Sequence, residues 1–194
     1  MTWHASNLSL SVRGLQPSAT VAINERSNQL RREGRVVHKL GLGQSPFPVP
    51  EPVVEALRRH AHEKDYLPVR GLEPLREAIA GYVQRRTGLP HAASEVLVAP
   101  GSKELMFLLQ VTFYGDLLLP TPAWVSYAPQ AQILGRSVHY LPTSAAHRFC
   151  LDPDTLDEHC RSRPDRPRFL ILNYPSNPAG TTYSDAELAA LAAV

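Results

Sequence analysis

The sequence predicts an α/β domain built on a largely parallel, buried sheet. Short apolar runs alternate with segments of helical periodicity, they do so one by one rather than in blocks, and prolines and glycines punctuate the joints. The chain has 194 residues, 43% hydrophobic and 20% charged, enough for one globular domain with or without an appendage.

Residues 1–50 are expected to form an N-terminal arm and connector. Pro46, Pro48, Pro50 and Pro52 enforce an extended passage, because each ring fixes its own φ and pushes the preceding residue out of the helical region. The main domain is expected over 51–194. Val53, Val54, Leu57 and Ala61 predict a helix over 51–62; Leu72, Leu75, Ile79, Tyr82 and Val83 predict another over 73–86. Val96-Leu97-Val98-Ala99 reads as a strand stopped by Pro100-Gly101, and Leu105, Met106, Leu108 and Leu109 then recur at helical spacing. A strand near 117–119, a helix near 124–134, a strand near 137–141, a helix near 153–161 and a strand at 168–172 follow. Ser184 and Glu187 stand at capping-box spacing and open a last helix running to Val194. Neither a Gly nor a basic last turn closes it, so the chain is expected to stop inside an element, a frayed natural terminus being the other reading.

Composition excludes several classes of function. With 20 Lys plus Arg against 18 Asp plus Glu, the balance is too even for the positive field that holds a nucleic-acid backbone or an acidic membrane. Cys150 and Cys160 are the only cysteines, too few for a disulfide framework or a four-cysteine metal site, and a reducing, cytoplasmic setting is expected. The first 20 residues hold no secretory apolar run, and no stretch approaches the ~20 apolar residues of a membrane span. His60-x-His62 reads as solvated helix residues, so no metal is expected. Small molecules or proteins are the expected partners.

Three segments could carry chemistry. Gly101-Ser102-Lys103 sits where a helix begins, and unpaired amides, the helix dipole and a hydroxyl together favour a phosphate; a plain turn and cap is the alternative. Pro120-Thr121-Pro122-Ala123-Trp124-Val125-Ser126-Tyr127 lies past the carboxyl end of a strand, where parallel sheets bind ligands, and Trp124 there either stacks on a planar ring or packs. Asn173-Tyr174-Pro175-Ser176-Asn177-Pro178-Ala179-Gly180 follows the strand at 168–172, is dense in turn formers and carries amides that donate and accept.

In this order and at these intervals, LGLGQSPFPVP, YLPVRGLEPLREAIA, VLVAPGSKELMFLL, PTPAWVSY and NYPSNPAG resemble the N-terminal half of class I/II aminotransferases, pyridoxal-phosphate enzymes of fold type I. The resemblance covers nearly the whole chain. It implies that 51–194 is a truncated, cofactor-binding large domain. It further implies that Gly101, Ser102 and Lys103 bind the cofactor phosphate, that Trp124 stacks on its ring and that Asn177 hydrogen-bonds its ring oxygen. Tyr66 would reach the phosphate of the neighbouring subunit's cofactor in a homodimer, and Gly43 would lie near the substrate carboxylate. Lys103 departs from the neutral residue of many relatives, and is read as solvent-facing. Substrates would be an amino acid and a 2-oxo acid.

The family reaction also uses a lysine that forms a Schiff base with the cofactor. Lys39, Lys64 and Lys103 are the only lysines, and none sits in a segment resembling that motif, which lies further along in full-length relatives. No catalytic residue is therefore assigned, and the chain alone is expected to be inactive and of low stability. A non-catalytic binding or pairing protein that keeps part of the cofactor site, or a fragment of a fold type I lyase, decarboxylase or synthase, are the alternatives.

Overall fold

The computed structural model describes residues 7–16, 18–41 and 43–194. The first six residues of the expected arm, with Pro17 and Leu42, lie outside the described residues. The chain falls into two compact units. One is Ile23–Leu105; the other joins the described residues up to Ala22 with Met106–Val194.

In the first unit, α2 (Glu51–His60) and α3 (Glu73–Thr87) lie within two residues of their expected bounds. Both start with an acid and a proline, where the missing N–H has no intrahelical use, and both end in basic residues that complement the helix dipole. Gly88, at φ 76°, closes α3 by donating to Gln84 O. α1 (Ala19–Arg32), which runs into this unit, was not expected. Val21 and Ile23 are each 52% exposed, so α1 offers no continuous apolar stripe from which to read a period.

The strand expected at Val96–Ala99 does not form. The segment is extended, and its long-range backbone bond is Val98 N–H to Arg70 O at 3.0 Å. A β-branched run becomes a strand only when a neighbour satisfies its N–H and C=O groups in a ladder, and among the described residues none does. Gly71, at φ +94°, permits this approach: a Cβ there would lie 2.6 Å from Val98 Cβ.

The second unit holds the sheet. β1 (Asp116–Thr121), β2 (Val138–Pro142) and β3 (Arg168–Leu170) run parallel in the order β2-β1-β3. Leu118 pairs with His139 on one side and Leu170 on the other. β3 stops two residues short of expectation: Ile171 still donates to Leu118 O at 3.2 Å, and the chain then leaves the ladder for the 173–180 loop. Connections run through α5 (Tyr127–Ile133), which starts three residues later than expected, and α6 (Pro153–Ser162). α4 (Ser102–Thr112) spans the division between the units, and its Met106 and Gln110 belong to the sheet unit.

β1 is buried on both faces, as a central parallel strand must be. Leu117 and Leu119 pack with Tyr127, Ala131 and Ile171, whereas Leu118 packs with Leu141, Leu151, Leu156 and Leu191. Leu191 comes from α7 (Asp185–Ala192). Its capping box forms as spaced: Glu187 N–H donates to Ser184 Oγ at 3.3 Å, and Ser184 N–H donates to Glu187 Oε2 at 2.7 Å. At the amino end of the sheet, Asp116 Oδ2 and His139 Nε2 lie 3.0 Å apart, and the His159 ring sits 5.0 Å from that of His139.

Candidate functional site

Loops leaving β1 and β3, adjacent parallel strands, meet at the carboxyl end of the sheet, where this architecture binds ligands. Between them runs a crevice whose lining includes Ala123, Tyr127, Phe149, Asn173, Asn177 and Tyr183. The Thr121-Pro122, Tyr174-Pro175 and Asn177-Pro178 peptide bonds are cis.

The 173–180 loop is held by its own groups. Asn177 N–H donates to Asn173 Oδ1 at 3.0 Å, Ser176 N–H to Thr181 O at 2.7 Å and Gly180 N–H to Ser176 O at 2.7 Å. Asn173 thus spends its side chain on shaping the turn. The Asn177 carboxamide hydrogen-bonds no described residue and lines the crevice with its donor and acceptor both available.

Tyr127 is 7% exposed, and its hydroxyl hydrogen-bonds no described residue. Burial pushes the phenol above its ordinary 10.0, keeping it protonated and able to donate. The half-buried ring of Trp124 meets the Tyr127 ring edge-on, at 5.3 Å and 76°. Behind the crevice, the Tyr183 hydroxyl accepts from Leu151 N–H at 2.8 Å. Burial raises its pKa, and that backbone bond works the other way.

Phe149 reaches the crevice from a turn in which both Arg148 and Phe149 take φ 55°, a conformation that costs a bulky L-residue energy. The turn is tied down. Phe149 N–H donates to Ser144 O at 2.8 Å, and Arg148 pairs with Glu187 of the α7 cap. The Glu187 carboxyl is lowered to about 2, first by the Ser184 N–H and then by the Arg148 and Ser184 side chains.

Gly101, Ser102, Lys103, Tyr66 and Gly43 belong to the other unit. Gly101 takes φ +106°, a Cβ there would meet nothing within 4 Å, and its carbonyl accepts from Glu104 N–H at 3.2 Å and Leu105 N–H at 3.3 Å. It therefore begins α4, with Ser102 as first helical residue, and the first amides of a helix find no acceptor inside it. Ser102 and Lys103 are exposed, Tyr66 is fully exposed, and Gly43 is exposed with open space around its Cα. Of the residues singled out from sequence, Asn177 lines the crevice, and Trp124 abuts its wall at Tyr127.

Sequence reading passes over Tyr127, Asn173, Phe149 and Tyr183. Tyr127 and Asn173 lie inside segments that it singles out, and their offset from Trp124 and Asn177 is the available signal. Phe149 and Tyr183 have none, since only the tertiary fold brings them there. Among the described residues no group of His, Cys, Asp and Glu could hold a metal ion, and no helix is long and apolar enough to cross a membrane.

Comparison with known proteins matches residues 35–194 to the family model of aminotransferase class I and II. The bifunctional aspartate aminotransferase and glutamate/aspartate-prephenate aminotransferase of Petunia hybrida is 36% identical over 183 residues, 91% of this chain and 37% of that protein. The aspartate aminotransferase of Bacillus subtilis (strain 168) is 31% identical over 192 residues, 96% of this chain and 48% of that protein. The solved aspartate aminotransferase from Thermus thermophilus with maleate superposes with a TM-score of 0.87 at 35% identity, covering 96% of this chain and 49% of its own. The chain spans about half the length, or less, of these relatives.

Proposed function

Because the chain belongs to the class I and II aminotransferase family, we propose that it supplies part of the active site of a pyridoxal-phosphate-dependent enzyme that moves an amino group from an amino acid to a 2-oxo acid. The observation that carries this reading is the family match over residues 35–194, a span that takes in all five motifs. We infer a dicarboxylic amino acid as donor, because the relatives named above carry aspartate in their names.

The residues at the crevice fit such a cofactor in their donor chemistry: an uncommitted carboxamide at Asn177, a neutral phenol at Tyr127 and an indole held edge-on against it. When bound, pyridoxal phosphate supplies an electron sink for the substrate α-carbon. The chain's own groups do the rest. We assign phosphate binding to Gly101, Ser102 and Lys103, where amides, hydroxyl and dipole favour an anion. Trp124 covers one ring face and excludes water from it; Asn177 fixes the ring's in-plane orientation through its oxygen. Tyr66 reaches the phosphate held by the second subunit of a homodimer, and Gly43 leaves room for the substrate carboxylate.

None of the three lysines lines the crevice. Lys39 donates to Asn28 Oδ1, and Lys64 lies 3.8 Å from Asp65. We assign the covalent anchor to the remainder of a full-length protein and expect no transamination by the 194 residues alone; measurable turnover by this chain would contradict that. In the full-length protein, Asn177→Ala should weaken cofactor retention about tenfold, the effect of ~1.4 kcal/mol from one hydrogen bond to a charged or polarised oxygen. Its absorbance band should shift as well. Retention and spectrum both unchanged in Asn177→Ala and Trp124→Ala would remove the assignment.

A further inference from the structure

A second cavity, of about 370 Å³, lies at the amino end of the same sheet, with Gln110, Tyr114, Asp116, Arg136, Ser137 and Arg166 in its wall. It is at the opposite end of the strands from the Asn177 crevice, and nothing in the proposed transamination uses it.

Local sequence builds the wall. Gly135, at φ 69°, ends α5: its N–H donates to Gln132 O at 2.9 Å, and the next N–H, of Arg136, returns to Ala131 O at 2.9 Å. This turn brings Arg136 to the cavity. Its guanidinium donates to Gly115 O at 2.6 Å and to Gln110 O, which fixes the planar fork in one orientation while leaving a second hydrogen on each terminal nitrogen. Fixing the fork before a ligand arrives removes most of the ordering cost of binding.

That fork has no ion-pair partner. Among the described residues no carboxylate pairs with Arg136 or Arg166; the Arg136 Nε is buried without an acceptor, and the Gln110 Oε1 is buried without a donor. Asp116, the acid of the wall, is already engaged by His139 at 3.0 Å. The hydroxyls of Ser137 and Tyr114 and the guanidinium of Arg166 hydrogen-bond no described residue either. Water can satisfy hydrogen bonds here, but it does not neutralise a half-buried cation. A cavity walled by two unpaired guanidinium groups and two free hydroxyls is chemically complementary to negatively charged oxygen.

We propose that this cavity binds a small oxyanion, of the phosphate or carboxylate type, between Arg136 and Arg166. Arg136 supplies the fixed fork, Arg166 the second charge from the exposed rim, and Ser137 a hydroxyl donor.

The test uses the full-length, cofactor-loaded protein, titrated calorimetrically with inorganic phosphate and separately with acetate against chloride at equal ionic strength. Arg166 is exposed, so Arg166→Ala leaves the fold intact. It should weaken binding about tenfold, the scale of one lost charge-assisted hydrogen bond, while Arg166→Lys retains most of it. Phosphate binding with this dependence identifies a phosphate-type site, and acetate binding with it a carboxylate-type site. No heat from either probe, or heats identical in Arg166→Ala and the parent, overturns the proposal.

Discussion

Asn173 and Asn177 play complementary parts in one loop. The first fixes the turn by accepting the backbone N–H of the second, and the second keeps its own amide uncommitted. Asn173→Ala in the full-length protein should therefore weaken cofactor retention less than Asn177→Ala, by about threefold rather than tenfold, measured by equilibrium dialysis. Two titratable groups give pH signatures. His159 is held below its ordinary 6.5, first by burial and then by His139, Arg168 and Arg163, with Asp116 opposing them. The unfolded chain thus binds the proton more readily, so stability should fall as pH drops below 6.5, and His159→Gln should flatten that fall in denaturant titrations. Glu187 works at lower pH. With its folded value near 2 against an ordinary 4.5, its contribution is complete above 4.5 and lost as pH falls toward 2; Glu187→Gln should remove this window from a circular-dichroism titration. Sequence pattern flags Asn177 and Trp124 because they sit in turn-rich or strand-terminal segments. It is silent on Phe149, whose place in the crevice depends on a left-handed turn anchored by Glu187, 39 positions beyond Arg148.

Elements were legible where their signals are local. The α7 cap needs only Ser184 and Glu187, three residues apart, and it forms; the proline-led starts of α2 and α3 are equally short-range. The run Val96–Ala99 shows the limit, since its composition suits a strand but pairing depends on a neighbour that the run itself does not specify. α1 shows the converse, a helix without the apolar stripe by which helices are recognised. Gly115 joins α4 to β1 at φ +142°, where a Cβ would sit 2.5 Å from the backbone oxygen of Pro167. Gly115→Ala should cost about 3 kcal/mol or more from conformational strain and this clash, read from the shift in denaturant midpoint.

At the scale of the molecule, apolar side chains such as Phe47, Leu57, Leu67 and Val69 stand in solvent, and among the described residues nothing pairs with the outer edges of β2 and β3. Exposed strand edges and apolar surface recruit other chains. Purified alone, the 194 residues should bind a hydrophobic dye and melt broadly; a sharp, high-temperature transition of a monomer would contradict this. Leu117→Ala should lower stability by about 2–5 kcal/mol in any form that folds. The back-to-back placement of Leu117, Leu118 and Leu119 also reaches beyond local cost. Neither helical layer owns an independent foundation, so amide hydrogens in α5 and α6 should begin exchanging together when the middle strand is weakened, whichever of its sides bears the change.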